Sequence, residues 1–142
     1  MKTRRARTTD ARRLAELCGQ LGYPTSLKQM TLRLRRVLGD RDAICLVAVD
    51  STAGIVGWIH ASVTPLVEVD RRAEVNGLVV DEECRSRGAG ATLLGVVEKW
   101  ARRRGCLNIS LRSNIIRERA HQFYLRQGYE HYKTQKAFRK AL

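Results

Sequence analysis

The sequence predicts a mixed α/β domain of the α+β kind, a β-sheet of six to seven strands flanked by about four helices. Three observations predict it. Apolar runs rich in β-branched residues recur between stretches of helical periodicity. A glycine-containing turn joins one such run directly to an apolar-faced helix. The two prolines, Pro24 and Pro65, fall between elements rather than inside them.

Taken in order, Thr3 to Arg7 reads as a short first strand. Leu14, Leu17, Cys18 and Leu21 fall at i, i+3, i+4 and i+7, so Asp10 to Gln20 reads as an amphipathic helix broken by Gly22-Tyr23-Pro24. Ser26 and Gln29 form a capping-box pair. They open a second helix striped by Leu27, Met30, Leu34, Val37 and Leu38 that stops at Gly39-Asp40. Ile44 to Val49, the turn Ser51-Thr52-Ala53-Gly54, and Ile55 to Val63 make a hairpin. Ala73 to Val80 is another strand. A third helix follows Gly88 and Gly90, carrying Leu93, Leu94, Val97 and Ala101 on one face and ending in Arg102-Arg103-Arg104-Gly105. Leu107 to Leu111 is a strand, Arg117 to Arg126 a helix closed by Gly128, and Tyr129 to Lys133 and Lys136 to Ala141 are two final strands. The expected order is β-α-α-β-β-β-α-β-α-β-β, in one domain spanning 1–142.

Composition narrows the function. At 142 residues and 44% hydrophobic, the chain can bury a core. No apolar stretch reaches the roughly 18 residues that cross a bilayer, and no signal core follows the basic N-terminus, so no membrane association is expected. Cys18, Cys45, Cys84 and Cys106 have neither metal-knuckle nor redox-pair spacing; reduced thiols in a cytoplasm are the reading, and no metal is expected. The net charge is +13, unevenly spread: residues 1–41 carry +8, residues 42–84 carry −6 and residues 85–142 carry +11. A basic C-terminal part beside an acidic middle suggests a site that meets an anion on one side and a cation on the other. Nucleic acid is not expected as a partner, because no reading helix, zinc spacing or stacking-strand motif accompanies the charge.

The stretch Arg85-Ser86-Arg87-Gly88-Ala89-Gly90-Ala91-Thr92 carries the sharpest chemistry. Helix N-termini present unpaired N–H groups that attract anions. Glycines at 88 and 90 allow a diphosphate close to the backbone, and Arg85 and Arg87 add full charges. A dinucleotide fingerprint would need glycine at position 93, which is Leu93, and no G-K-S/T follows.

Arg85-x-x-Gly88-x-Gly90 after the strand Glu74-Val75-Asn76-Gly77-Leu78-Val79-Val80 resembles the acetyl-CoA motif of the GNAT superfamily of N-acetyltransferases. The run from Ser113-Asn114 through Ala120 and Phe123-Tyr124 to Gly128-Tyr129 is similar to that superfamily's second motif. The resemblance implies acetyl-CoA as cosubstrate. It places the pantetheine arm against the main chain of Leu78, Val79 and Val80, and the diphosphate on backbone N–H groups from Arg87 through Gly88, Ala89, Gly90 and Ala91 to Thr92. It gives Asn114 a hydrogen bond to the pantetheine arm, beside a simple capping role for the next helix. It makes Tyr124 the acid that protonates the leaving thiolate, while Phe123 stays with the core. Glu74 is the implied base for the attacking amine; burial beside a strand gap strengthens a carboxylate in that role. The plain alternative is a solvent-facing Glu74 paired with Arg71 or Arg72. His60 is a reserve base, and His121 reads as a hydrogen-bonded structural histidine.

For the acceptor, the acidic segment with Glu68, Asp70 and Glu74 favours a primary amine on a small cationic molecule, aminoglycoside-, polyamine- or amino-acid-like. The end of the chain also looks like small-amine enzymes of the aminoalkylphosphonate kind, which would want an anionic acceptor; a protein or peptide amine is the other alternative. A non-catalytic acyl-CoA-binding sensor is the competing class. Members of the superfamily often dimerise, so the resemblance extends to a homodimer.

Overall fold

The computed structural model describes all residues 1–142. Its chain divides into two compact units, residues 1–112 and 113–142.

The first unit is a five-stranded sheet in the order β1-β2-β3-β4-β5, with strands Lys2–Arg5, Ala43–Asp50, Gly54–Val63, Arg72–Val80 and Asn108–Leu111. The first three pairings are antiparallel and β4–β5 is parallel. Strand β2 lies inside the sheet, nearly every residue on it is apolar and both its faces are covered; Ala43 to Ala48 are all buried. The hairpin turn after it is fixed by Asp50, whose Oδ1 accepts from the Thr52 and Ala53 amides and the Thr52 hydroxyl. Those donors, Ala53 first, hold the Asp50 carboxyl down to about 2.

Helices α1 (Ala11–Gln20) and α2 (Leu27–Leu38) lie where the sequence periodicity puts them. Leu14, Leu17 and Cys18 of α1 and Met30 and Leu34 of α2 pack with Cys45, Val47, Trp58 and Val79 of the sheet. Each fully buried leucine here is worth about 1.5–3 kcal/mol. The capping box forms as read: Gln29 N donates to Ser26 Oγ at 3.1 Å and Ser26 N to Gln29 Oε1 at 3.0 Å. Helix α3 (Ala89–Arg103) buries Leu93, Leu94, Val97 and Trp100 and packs on β2, β3 and β4. It ends as the sequence requires, with Gly105 at φ 76° and Cys106 N returning to Ala101 O at 3.0 Å.

Strand β4 carries a bulge. His60 of β3 stands opposite Gly77, yet Ala61 stands opposite Val75, so Asn76 is the extra residue. Gly77 is forced by close packing: a Cβ there would lie 2.8 Å from the Trp58 ring.

The second unit holds α4 (Glu118–Arg126), closed by Gly128 at φ 90°. The expected strands Tyr129–Lys133 and Lys136–Ala141 do not form, so the sheet has five strands and not six to seven. Alternation alone makes no strand without a partner ladder. His131 Nε2 contacts Lys133 O at 3.1 Å and Thr134 Oγ1 at 3.0 Å, within the same segment. No helix of the chain is long and apolar enough to cross a membrane.

Candidate active site

The glycine turn is held from behind by α1. Arg13 pairs with Asp81 at the end of β4, and Gln20 Oε1 accepts from Glu82 N at 3.1 Å. The Arg13 guanidinium holds the Asp81 carboxyl below the usual carboxylate range. Ahead of α3, Ser86 at φ 67° and Gly88 at φ 86° are left-handed. Such residues turn successive N–H groups toward one side and make an anion-binding concavity. For Ser86, which has a Cβ, this conformation costs on the order of 1–2 kcal/mol. The N–H groups of Arg87, Gly88, Ala89, Gly90 and Ala91 meet no acceptor in the protein, whereas Thr92 N and Thr92 Oγ1 both bond Gly88 O at 2.9 Å. The donors open to a ligand therefore stop at Ala91. Arg85 leans toward Glu82 at 4.0 Å, and Arg87 lies close enough to Asp50 to affect its charge.

Strands β4 and β5 pair only from Arg72 to Val75, opposite Asn108 to Leu111. Past Val75 the β5 side of β4 has no strand partner, and this free edge runs through Leu78, Val79 and Val80 to the glycine turn. Leu78 and Val79 are themselves buried, so their side chains serve the core while their main chain stays on that edge. Five consecutive free N–H groups beside an unpaired strand edge fit a ligand with a diphosphate and an amide-bearing arm, which is the chemistry of CoA.

At the other end of β4 the polar residues share a face. Arg72 and Glu74 alternate with the buried Ala73 and Val75. Ser62 stands opposite Glu74 in register, and its Oγ accepts from Asn76 Nδ2 at 2.8 Å. Glu74 Oε1 is 3.0 Å from Arg112 Nη2, with 27% of the carboxylate side chain exposed. The partner is thus Arg112 and not Arg71 or Arg72. Arg71 Nε instead donates to Arg104 O at 2.8 Å, and Arg72 Nε is buried with no hydrogen-bond partner. An open depression beside this end is lined by Val67, Glu68, Val69, Asp70 and Asn108. His60 is half-buried on β3, and burial pushes its imidazole below the ordinary value. Sequence reasoning missed Arg112, which follows β5 and meets Glu74 only through the strand register. It also missed Asn76, although the stripe Arg72-x-Glu74-x-Asn76 is visible as alternation.

In the unit of residues 113–142, Tyr124 stacks edge-on with Phe123 and Tyr129, ring centroids 5.3 and 6.0 Å apart. Burial raises its phenol above the ordinary value while Arg117 works the other way, so the group stays a proton donor at neutral pH. Asn114 is exposed; its Oδ1 accepts from Ile116 N at 3.1 Å and its carbonyl meets His121 Nε2 at 2.9 Å. The helix N-cap is Arg117, not Asn114, and the Asn114 amide nitrogen remains available to donate. No group of three or more His, Cys, Asp and Glu could hold a metal ion.

Residues 9–129 match the acetyltransferase (GNAT) family. Over 66 residues the chain is 41% identical to an aminoalkylphosphonate N-acetyltransferase of Salmonella typhimurium, covering 45% of this chain and 43% of that one. The chain thus spans less than half the length of that relative. It is 28% identical over 105 residues to an aminoglycoside N(6')-acetyltransferase type 1 of Klebsiella aerogenes, covering 72% and 69% of the two chains. Among solved structures, the aminoglycoside N-acetyltransferase AAC(6')-Iy in complex with CoA superposes with a TM-score of 0.86 at 17% identity, covering 99% of this chain and 95% of that one.

Proposed function

The chain belongs to the acetyltransferase (GNAT) family, and from that premise we propose that it moves an acetyl group from acetyl-CoA to a primary amine of a small molecule. The observation that carries this reading is the parting of β4 from β5 after Val75, which leads an unpaired strand edge into five free N–H groups at the start of α3. We read residues 1–142 as one acetyltransferase domain, since the family match runs across the division at Arg112.

Acetyl-CoA supplies the activated acetyl thioester. The residues before Thr92 bind its diphosphate through main-chain N–H groups, with Arg85 and Arg87 adding charge. Leu78, Val79 and Val80 present main chain to its arm, and the Asn114 amide donates to the same arm. Glu74 takes the proton that the ammonium must lose before nitrogen can attack the thioester carbon. As the C–S bond breaks, Tyr124 gives its proton to the departing sulfur, and the proton that the acylated nitrogen sheds restores the phenol. A general base and a general acid of this sort each contribute roughly 10²–10⁴ in rate.

The acceptor is read as a small amine of cationic character, supported by Glu68 and Asp70 on the open depression beside Asn108. The pairing of Arg112 with Glu74 favours a second version, in which the amine also carries an acid.

Thiol release from acetyl-CoA tests the reading, with polyamines, aminoglycosides, aminoalkylphosphonates, amino acids and lysine peptides as acceptors. Amine-dependent release that collapses in Tyr124→Phe is expected. Binding of acetyl-CoA without release for any amine would favour a sensor, and no rise in melting temperature with acetyl-CoA would end the proposal.

A further inference from the structure

The acceptor end of β4 holds an accessible pair of opposite charges rather than a lone carboxylate. Glu74 Oε1 and Arg112 Nη2 are 3.0 Å apart, and 80% of the Arg112 side chain is exposed. Two residues before Glu74, on the same face, Arg72 makes no ion pair and its Nε is buried without a partner. A buried donor left unpaired is costly unless something brings it an acceptor. Asn76 bonds to Ser62 through its nitrogen, which leaves its Oδ1 facing away from that bond as a further acceptor for an ammonium.

Consider what enters. A purely cationic amine must pull Glu74 away from Arg112 and then sit beside an unpartnered guanidinium, a like-charge contact that raises its cost. An amine bearing an acid a few bonds away exchanges one ion pair for two. Its ammonium takes Glu74, and its acid takes Arg112, with Arg72 two positions along the strand. The exchange releases Glu74 from the guanidinium at the moment the ammonium proton must be accepted.

Resting on the acetyl-transfer reading above, we propose that Arg112 selects the acceptor, and that this acceptor is a short zwitterion carrying a primary amine and a phosphonate or carboxylate. Arg112 touches the acid group and not the reacting atoms, so it is a specificity residue. Glu68 and Asp70, on the depression with Asn108, oppose anions at large and confine the acid to the arginine side of Glu74.

The test compares kcat/KM for 2-aminoethylphosphonate and β-alanine with that for propylamine and 1,3-diaminopropane, in the wild type and in Arg112→Ala, Arg112→Gln and Arg112→Lys. Charge-assisted pairing predicts that the wild type favours an acid-bearing amine by about tenfold or more. The ratio should fall toward one in Arg112→Ala and Arg112→Gln, through KM, and return in part in Arg112→Lys. Preference for the phosphonate over the carboxylate, or the reverse, tells the two acid sources apart. Equal use of propylamine or diaminopropane by the wild type overturns the proposal while leaving acetyl transfer intact. So does a loss in Arg112→Ala that is the same for every amine. Failure of every amine, with acetyl-CoA still raising the melting temperature, overturns the transfer reading and this inference with it.

Discussion

The two ends of β4 work in opposite ways. At its C-terminal end, the groups left open are main chain: free N–H groups from Arg87 to Ala91 and the unpaired strand edge before them. At its N-terminal end, the polar groups are side chains, with Glu74 on Arg112 and Asn76 on Ser62. Main-chain recognition tolerates changes of side chain but not of backbone conformation. Side-chain recognition has the reverse sensitivity. The two ends therefore answer to different substitutions.

The sharpest division comes from Glu74→Gln. We expect kcat to fall about 10²–10³-fold while the rise in melting temperature on adding acetyl-CoA is kept; loss of that rise would show that the two ends are not separable. Tyr124→Phe should lower kcat by about a hundredfold. Because burial holds the Tyr124 phenol above 10, wild-type activity that needs it protonated should persist through pH 9 and decline only above about 10. A decline near neutrality would place the acid elsewhere.

Gly88→Val tests the main-chain end alone. A branched side chain at φ 86° costs on the order of 1–3 kcal/mol, so titration should show acetyl-CoA binding weakened about tenfold with the amine preference unchanged. A shifted amine preference would break the separation.

The smallest effect is expected outside both ends, at Asp10. This buried carboxylate holds Arg4 by two contacts of 2.8 and 3.0 Å and caps Arg7 N at 2.8 Å. The Arg4 hydrogen bond lowers its folded value below that of the unfolded chain. The resulting stabilisation is present above the unfolded value near 3.9 and is lost as pH falls through the depressed one. Asp10→Asn should lose about 1–2 kcal/mol at pH 7, less than a fully buried pair because Arg4 is 33% exposed. Urea melts should show that difference shrinking toward pH 2, with amine selectivity unchanged throughout.

The main-chain end was legible in the sequence because glycine is a direct statement about backbone. Gly88 announces a left-handed turn and the apolar stripe from Leu93 to Ala101 announces the helix it opens. The side-chain end was legible only by half. Glu74 and its strand could be read, but the partner at Arg112 depends on a parallel register between residues 36 positions apart, and register is not local information. Ser86 gave no warning of its left-handed φ, since serine carries no such preference. The last fourteen residues misled for a related reason. They read as two strands, but a strand is a property of a pair, and no strand pairs with them.

The bulge at Asn76 has one more consequence. A regular strand keeps a single phase, so positions that face one helix layer at its start still do so at its end. The extra residue advances β4 by one step, which lets Leu78 face inward after Val75 has done the same three positions earlier. Deleting Asn76 would therefore leave both flanks in their present phase, Gly77 still opposite His60 and Val75 still opposite Ala61, and would remove only the local kink and the bond to Ser62.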